Sequence, residues 1–330
     1  MLSQPIRAVS LGAGSTVPQH RNVFSAVVEC DGAQWLVGAR EGVQRDLFRY
    51  ELGLGLEGIV LTSGQKAEML GLPGLLATLD HIGDRSRTLE IYVPPNAHFA
   101  VREVSNWFEE FAFTVTVHEY EPGEAVYHAD DYAIHAIPNE GKKQSTGIAF
   151  TEQNVRGEFD EDKALEQGVP RGPKFGHLCD GEPVELADGT VITPDDVLGP
   201  APPPRKLVFS GRTPVCDSVL EAGTDAGALV HDAGFGDQTQ LSGNIRRPDT
   251  DDLGEVAART DCDALLLAHL LTHCQARSDH ALVSAVDVST TQTAVFSEGT
   301  ALRVDRDSVE ISSVTPADDS RVSPTHGTTT

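Results

Sequence analysis

An apolar run followed by a leucine-rich segment with glycines and a proline constrains the fold of this chain more than any other feature. Residues 58–61 are Gly-Ile-Val-Leu, a run typical of a buried strand, and residues 70–76 are Leu-Gly-Leu-Pro-Gly-Leu-Leu. The leucine spacing predicts a helix that begins near Pro73, because proline is tolerated in the first turn of a helix. The two segments together predict a strand–turn–helix unit of an α/β fold.

The chain is strongly acidic. Its 330 residues include 50 Asp and Glu against 25 Lys and Arg, a formal net charge of −25, and only 6 of the basic residues are Lys. Because 39% of the residues are hydrophobic, as in a globular protein, the acidic excess predicts a strongly hydrated surface, as in a halophile. An ordinary acidic cytosolic protein is the alternative. The net charge argues against a diffuse electrostatic grip on nucleic acid, so any RNA contact must be local.

Cysteine usage and hydropathy indicate a soluble protein of the cytoplasm. The five cysteines are odd in number and scattered, without a Cys-x-x-Cys pair, which argues against a disulfide framework and a cysteine zinc site. The first residues do not resemble a signal peptide, and no apolar run is long enough to span a membrane. We therefore expect a cytoplasmic location and no membrane contact.

Further apolar runs predict two sheets. Short strands are predicted at residues 6–11, 23–30, 35–37, 89–95, 111–118, 125–127, 132–138, 207–210 and 264–268. Helical segments separate several of these strands. Strand-rich halves linked by helices predict two sheets that pack face to face with helices outside.

Several motifs, taken in order, resemble the ribonuclease Z branch of the metallo-β-lactamase superfamily. They are the Gly-rich turn at 12–18, the Leu-Gly-Leu-Pro-Gly-Leu-Leu segment at 70–76 and the Pro- and Gly-rich stretch at 157–204. The resemblance implies an αββα sandwich over residues 1–312, in which residues 157–204 form an inserted flexible arm that protrudes from the domain. A tail at 313–330, rich in Ser, Thr and Asp, is expected to be disordered.

The residues that would carry the family's chemistry are mostly replaced. The family holds two zinc ions with a Thr-His-x-His-x-Asp-His motif and further ligands on later strands. The positions that match this metal-binding set are here Ser63, Gln65, Ala67, Glu68, Gly141, Arg212 and His269. His269 is the one matching ligand that is retained. Arg247 stands at a further family histidine with a catalytic or substrate-contacting role, so no catalytic residue of the family is intact.

The arm is the part that resembles the tRNA-gripping element of the family. Arg171, Lys174 and His177 form one of the few locally basic patches of the chain, with Phe175 beside them to stack or pack. The resemblance implies that these four residues bind substrate RNA. The alternative is a structural hairpin whose Gly and Pro residues only make turns.

A retained scaffold with a replaced centre predicts a catalytically degenerate ribonuclease Z-like protein, of a kind expected in a haloarchaeal paralogue. Such a protein would bind tRNA through its arm, as a homodimer or as the regulatory partner of an active homologue, and would need no cofactor. Two alternatives stay open. One is an active tRNA 3′-processing endoribonuclease with zinc in an unusual site, and the other is an assembly or stability factor without an RNA role.

The replaced centre also leads to an expectation about charge. Arg212 brings a positive group to a position that contacts two cations in the family, and Glu68 brings a carboxylate. We expect Arg212 to pair with Glu68 and so to replace the positive charge of the metals. Arg247 is expected near Asp232.

Overall fold

A computed structural model of the chain describes residues 2–15, 21–82, 87–105, 111–141, 145–234, 247–271, 278–284, 286 and 291–317. The strands are β1 (Ile6–Gly12), β2 (Ser25–Cys30), β3 (Ala33–Val37), β4 (Leu56–Val60), β5 (Leu89–Val93), β6 (Val115–Glu119), β7 (Ala125–His128), β8 (Tyr132–Pro138), β9 (Thr146–Glu152), β10 (Val184–Glu185), β11 (Val191–Ile192), β12 (Lys206–Phe209), β13 (Ala228–Asp232), β14 (Ala264–Ala268), β15 (Gln292–Val295), β16 (Thr300–Val304) and β17 (Val309–Ser313). The helices are α1 (Val43–Arg49), α2 (Lys66–Met69), α3 (Leu72–Ile82), α4 (Pro95–Ser105), α5 (Glu161–Glu166), α6 (Pro173–Cys179), α7 (Pro194–Val197), α8 (Asp217–Gly223), α9 (Thr250–Thr260) and α10 (Asp279–Val283).

Two large sheets build the core of the described chain. The first has the strand order β17-β16-β1-β2-β3-β4-β5-β6, and the second has the order β15-β14-β13-β12-β9-β8-β7. Apolar side chains from both sheets meet in one buried cluster, which includes Trp35, Phe150 and Phe209. Helices cover the outer faces, with α3 packed on the first sheet and α9 on the second. The predicted arrangement of two facing sheets with helices outside is confirmed.

The strand–turn–helix unit at residues 58–76 forms as predicted. Leu72, Leu75 and Leu76 are fully buried under the first sheet, and burial of each such side chain contributes about 1.5–3 kcal/mol. Gly71 is required by a close approach, since a Cβ there would lie 1.8 Å from the carbonyl oxygen of Arg40. This packing fixes the short helix α2, which carries Ala67 and Glu68, at the end of β4.

The arm has a small hydrophobic core of its own, although its sequence shows no apolar period. Its core consists of Ala164, Val169, Leu178, Val184, Ile192 and Val197. The arm leaves the sandwich after β9 and returns before β12, and its two ends meet where Gly199 N donates to Glu158 O over 2.8 Å. The division of the chain at residues 157 and 204 stays a prediction.

The end of the described chain is anchored. After β17, the backbone N–H of Ala317 donates to the carbonyl of Arg49 over 2.7 Å. The greater part of the predicted disordered tail, residues 318–330, lies outside the described residues. In the described part of the chain, no helix has both the length and the apolar character needed to cross a membrane.

Candidate functional site

The positions singled out in the sequence converge at one edge of the sandwich. Parallel pairing of β3, β4 and β5 and of β12, β13 and β14 brings the carboxyl ends of these strands together. The carboxyl edge of parallel strands is where α/β folds place their sites. Ser63 follows β4, Arg212 follows β12, and His269 follows β14. We call this group, together with Glu68, His231, Asp232 and Arg247, the converted centre.

Glu68 is a buried carboxylate that is bound by its own segment. Its Oε1 accepts from Thr62 N over 2.5 Å and from Thr62 Oγ1 over 2.7 Å, while Ser63 Oγ donates to Oε2. Burial raises the pKa of Glu68 above its usual value, and the bonds from Ser63 and Thr62 oppose that rise. Gly38 lies beside this side chain and has a left-handed backbone with φ of 74°, which favours glycine.

Arg212 does not pair with Glu68, so that expectation was wrong. Its Nη1 donates to Gln65 Oε1, its Nη2 donates to Ser15 Oγ over 2.9 Å, and its buried Nε is without a partner in the described structure. Burial and the nearby guanidinium of Arg247 lower the pKa of Arg212. The physical reason for the difference is that the hydroxyl and amide donors of Thr62 and Ser63 already satisfy Glu68 locally.

Arg247 forms the ion pair that was expected with Asp232. Its Nη2 donates to Asp232 Oδ1 and to the carbonyl of His269 over 2.9 Å. Asp232 is fully buried and also accepts from Thr213 N over 3.1 Å. Burial raises the pKa of Asp232 to about 6, although Arg247 opposes the rise. The stem of Arg247 lies against Gly234, where a Cβ would come within 2.7 Å of Arg247 Cβ.

Two buried histidines complete the centre, and both favour the neutral form. His269 has a left-handed backbone with φ of 54°, and its ring lies 4.5 Å from the ring of Phe24. Burial and the guanidinium groups of Arg212 and Arg247 lower its pKa well below the usual value. Burial also lowers the pKa of His231 to about 4.

Gly141 closes the position of another family ligand. A Cβ at this residue would lie 2.1 Å from the carbonyl oxygen of Arg212, so a histidine does not fit here without a backbone shift. Ala67 offers no ligand atom, and it lines a separate cavity beside α1. Gln65 is engaged by Arg212.

The residues present do not fit a pair of zinc ions. Zinc in proteins takes imidazole, thiolate or carboxylate ligands with an open position for water. The described residues include no group of three His, Cys, Asp or Glu side chains placed to hold a metal. Asp232 is committed to Arg247 and Glu68 to Thr62 and Ser63, while the guanidinium of Arg212 would repel a nearby cation.

The structure places Lys174, Phe175 and His177 on α6 and Arg171 just before it, but it pairs each basic side chain within the arm. Arg171 lies 2.6 Å from Glu161, Lys174 Nζ donates to the carbonyl of Glu185 over 2.5 Å, and His177 Nδ1 lies 2.7 Å from Glu182. The Phe175 ring packs 4.9 Å from that of Phe159. The sequence analysis overlooked these acidic neighbours, although residues 157–204 contain eleven Asp and Glu against three Lys and Arg.

Sequence reasoning also missed a cavity beside the converted centre. It lies along α1 and the start of α3 and is lined by Arg40, Arg45 and Arg49. The spacing of Arg45 and Arg49, four residues apart on a predicted helix, was a signal that could have found it.

Comparisons with known proteins agree with this architecture. No protein-family profile matches the chain. Two relatives, both named ribonuclease Z, are from Haloferax volcanii and Myxococcus xanthus. The first is 39% identical over 274 residues, covering 82% of this chain and 85% of the relative. The second is 35% identical over 276 residues, covering 83% of this chain and 88% of the relative.

Solved structures show the same fold. The short form of human tRNase Z matches with a TM-score of 0.63 at 17% identity, over 91% of this chain and 99% of that protein. The metallo-β-lactamase fold protein YhfI from Bacillus subtilis matches with a TM-score of 0.62 at 13% identity, over 91% of this chain and 99% of that protein. The predicted metallo-β-lactamase fold is therefore confirmed. By its similarity to curated relatives over most of its length, this chain belongs to the ribonuclease Z family.

Proposed function

We propose that this chain is a catalytically inactive member of the ribonuclease Z family that acts by binding tRNA or a related RNA. The observation that carries the proposal is the position of the Arg212 guanidinium, which stands between Gln65 and Ser15 where the family resemblance puts a metal-bridging aspartate. Metal-assisted hydrolysis needs a cation that polarises the phosphodiester and lowers the pKa of a bound water. A guanidinium can hold a phosphate, but it does not bind and activate water as a Lewis acid.

The acid–base groups of the centre support the same proposal. A general base must be able to reach the proton that it removes. Both Glu68 oxygens accept hydrogen bonds from the chain, and Asp232 is held by Arg247. His269 is neutral, but its ring packs on Phe24. The titratable groups of the centre are thus engaged in contacts within the protein and are not free to act as a general base.

The arm is the proposed RNA contact, with Arg171, Lys174, Phe175 and His177 as its binding residues. Arg171 is exposed and its partner Glu161 is also exposed. Exposed ion pairs are weak, typically about 0–1 kcal/mol, so an RNA phosphate can displace Glu161 at small cost. A homodimer, or a complex with an active homologue, would add contacts that three basic side chains do not supply.

A second candidate is an assembly or stability factor without an RNA role. The acidic composition of the arm favours it, because eleven carboxylates repel a phosphate backbone. Direct measurement of tRNA binding by the full chain separates the two candidates. Binding that weakens as salt rises supports the RNA role, and no binding at low salt supports the second candidate.

Metal analysis combined with a cleavage assay tests the loss of activity. We expect well under one zinc per purified chain and no cleavage of a tRNA precursor, with or without added zinc or manganese. The ribonuclease Z of Haloferax volcanii, assayed in parallel, is the positive control. Two tightly held zinc ions together with cleavage at the tRNA 3′ end would establish the alternative of an active processing enzyme.

A further inference from the structure

The cavity beside α1 is a second site, separate from the pairs that fill the converted centre. It has a volume of about 670 Å³ and lies between α1, the segment at Asn22 and the start of α3. Small-molecule sites commonly have volumes of about 300–1,000 Å³. Ala67 lies at its border with the converted centre. The size of the cavity is therefore sufficient for a ligand as large as a nucleotide.

Its rim carries two arginines that have no acidic partner among the described residues. Arg45 and Arg49 are exposed, and both line the cavity from successive turns of α1. Like charges four residues apart on a helix destabilise it. The guanidinium of Arg49 also lies over the ring of Tyr50, 5.9 Å from its centre. In a chain with 50 acidic residues, two guanidiniums without an acidic partner at the rim of one cavity form a local positive site. A bound anion between them would remove their repulsion.

Two residues of the lining hold buried polar atoms that lack partners in the described structure. Arg40 is 5% exposed and is held by Asp46 and by the carbonyl of Leu11 over 3.0 Å, while its Nε is unsatisfied in the described structure. Gln44 lies against Gly74, and its buried Oε1 also lacks a donor there. A buried acceptor without a partner is costly, so a ligand that supplies a donor would be favoured.

The lining therefore combines cations with an unsatisfied acceptor. Of the two acids that line it, Asp46 is neutralised by Arg40, and Glu41 is exposed. We propose that this cavity binds a phosphate ester that carries a free hydroxyl group, with the phosphate between Arg45 and Arg49 and the hydroxyl donating to Gln44. A free nucleotide and the phosphorylated end of an RNA share this chemistry. The inference does not depend on the proposed function, because the residues that line the cavity belong to the sandwich and not to the arm.

Calorimetric titration of the full chain at fixed ionic strength tests the proposal. The probes are inorganic phosphate, a nucleoside 5′-monophosphate, and a short single-stranded RNA with or without a 5′-phosphate. We expect the nucleotide or the phosphorylated RNA to bind more tightly than inorganic phosphate, because only the esters carry a sugar hydroxyl in addition to the phosphate. Removing both rim charges with Arg45→Gln and Arg49→Gln should weaken binding by about tenfold or more.

Matched variants make the result specific. Arg102→Gln removes the same charge from an exposed position on α4 and should leave binding unchanged. Gln44→Leu should reduce the preference for the ester over inorganic phosphate. Tighter binding of the mononucleotide identifies a free nucleotide as the ligand, and tighter binding of the phosphorylated RNA identifies an RNA end. The proposal is overturned if no probe binds, or if the double variant binds as tightly as the unchanged chain.

Discussion

A single guanidinium compensates the carboxylate of Asp232 inside the molecule. Asp232 is fully buried, and Arg247 joins it to the backbone of His269 at the end of the neighbouring strand. Removing one member of a buried ion pair leaves an uncompensated charge and costs about 3–5 kcal/mol. Arg247→Met should therefore lower the free energy of unfolding by about that amount, measured by urea denaturation. Adding Asp232→Asn should recover much of the loss.

Arg212→Met is the matched comparison for that experiment. Arg212 donates to neutral partners and forms no ion pair in the described structure, so its removal should cost less than about 2 kcal/mol. Glu68→Gln combined with Arg212→Met should give additive losses, since the two side chains do not pair. Equal costs for the variants at positions 212 and 247 would contradict this account of the centre.

His231 makes stability depend on pH. Burial lowers its pKa in the folded state to about 4, below its usual value of 6.5. The unfolded chain therefore takes up a proton first, and stability is lost as pH falls below about 6.5. Between pH 7 and 5 this residue should remove about 2 kcal/mol from the free energy of unfolding. His231→Phe should lose correspondingly less over the same range, and parallel pH profiles for the two proteins would show that His231 does not titrate as inferred.

For individual residues, the sequence predicted which side chains meet at the site better than it predicted which of them bond to each other. The family resemblance placed Arg212, Arg247 and His269 at one site, and the Arg247–Asp232 pair formed as expected. The predicted pairing of Arg212 with Glu68 was wrong, because the partner of an arginine depends on which acceptors already have other donors. Thr62 and Ser63 supply those of Glu68 from only five and six residues away. Such local competition is not visible in the residue types alone.

Whether the arm folds independently of the sandwich can be tested directly. Phe159 bridges to Leu198, and the chain closes at Glu158 and Gly199. Its core is made of its own side chains. Replacing residues 159–198 by a short glycine linker should therefore leave the melting temperature of the sandwich nearly unchanged and abolish tRNA binding. A shortened chain that binds tRNA as tightly as the full chain would remove the arm from the proposed function.

Competition inside the arm gives a sharper prediction. Arg171 is paired with Glu161 across 2.6 Å on the surface. If this arginine contacts RNA, Glu161→Gln should release it and strengthen tRNA binding, whereas Arg171→Gln should weaken it. Glu166→Gln on the same helix removes an equal charge and is the control. Because the arm has three Lys and Arg, they should add at most about three to the slope of log affinity against log salt.

The sequence identified the arm but not its internal order. Its composition and resemblance marked residues 157–204 as a unit, while its six core side chains follow no helical or strand period. Short elements such as α7 and the β10–β11 pair are held by these scattered contacts. Periodicity is informative only for longer elements, which is why α3 was easier to predict.

For the whole molecule, we expect stability that is independent of metal. A ligand that binds only the folded state raises the melting temperature, and its removal lowers it. Since Arg247 pairs with Asp232 and local hydrogen bonds hold Glu68, incubation with a strong chelator should leave the melting temperature unchanged. The Haloferax volcanii relative, treated in the same way, is the comparison. A marked drop in this chain would show that it holds a structural metal.

The two-sheet architecture was predictable from the sequence because apolar strands, helix spacing and family motifs all agreed. The strands β15, β16 and β17 were not anticipated, since these short strands lack a distinctive pattern and owe their place to long-range contacts. Cytoplasmic location, salt adaptation and dimer formation remain predictions that rest on composition and resemblance.

The contact between Gly141 and the Arg212 carbonyl has a consequence for how this chain can change over time. A Cβ at position 141 would overlap that oxygen at 2.1 Å, so even the smallest step towards a histidine is blocked by the present backbone. Lineages descended from this sequence would have to move the β12 loop before they could regain the ligand, and would gain nothing until several other ligands had also returned. A ligand at this position therefore requires a backbone movement and several substitutions together, rather than one change at a time.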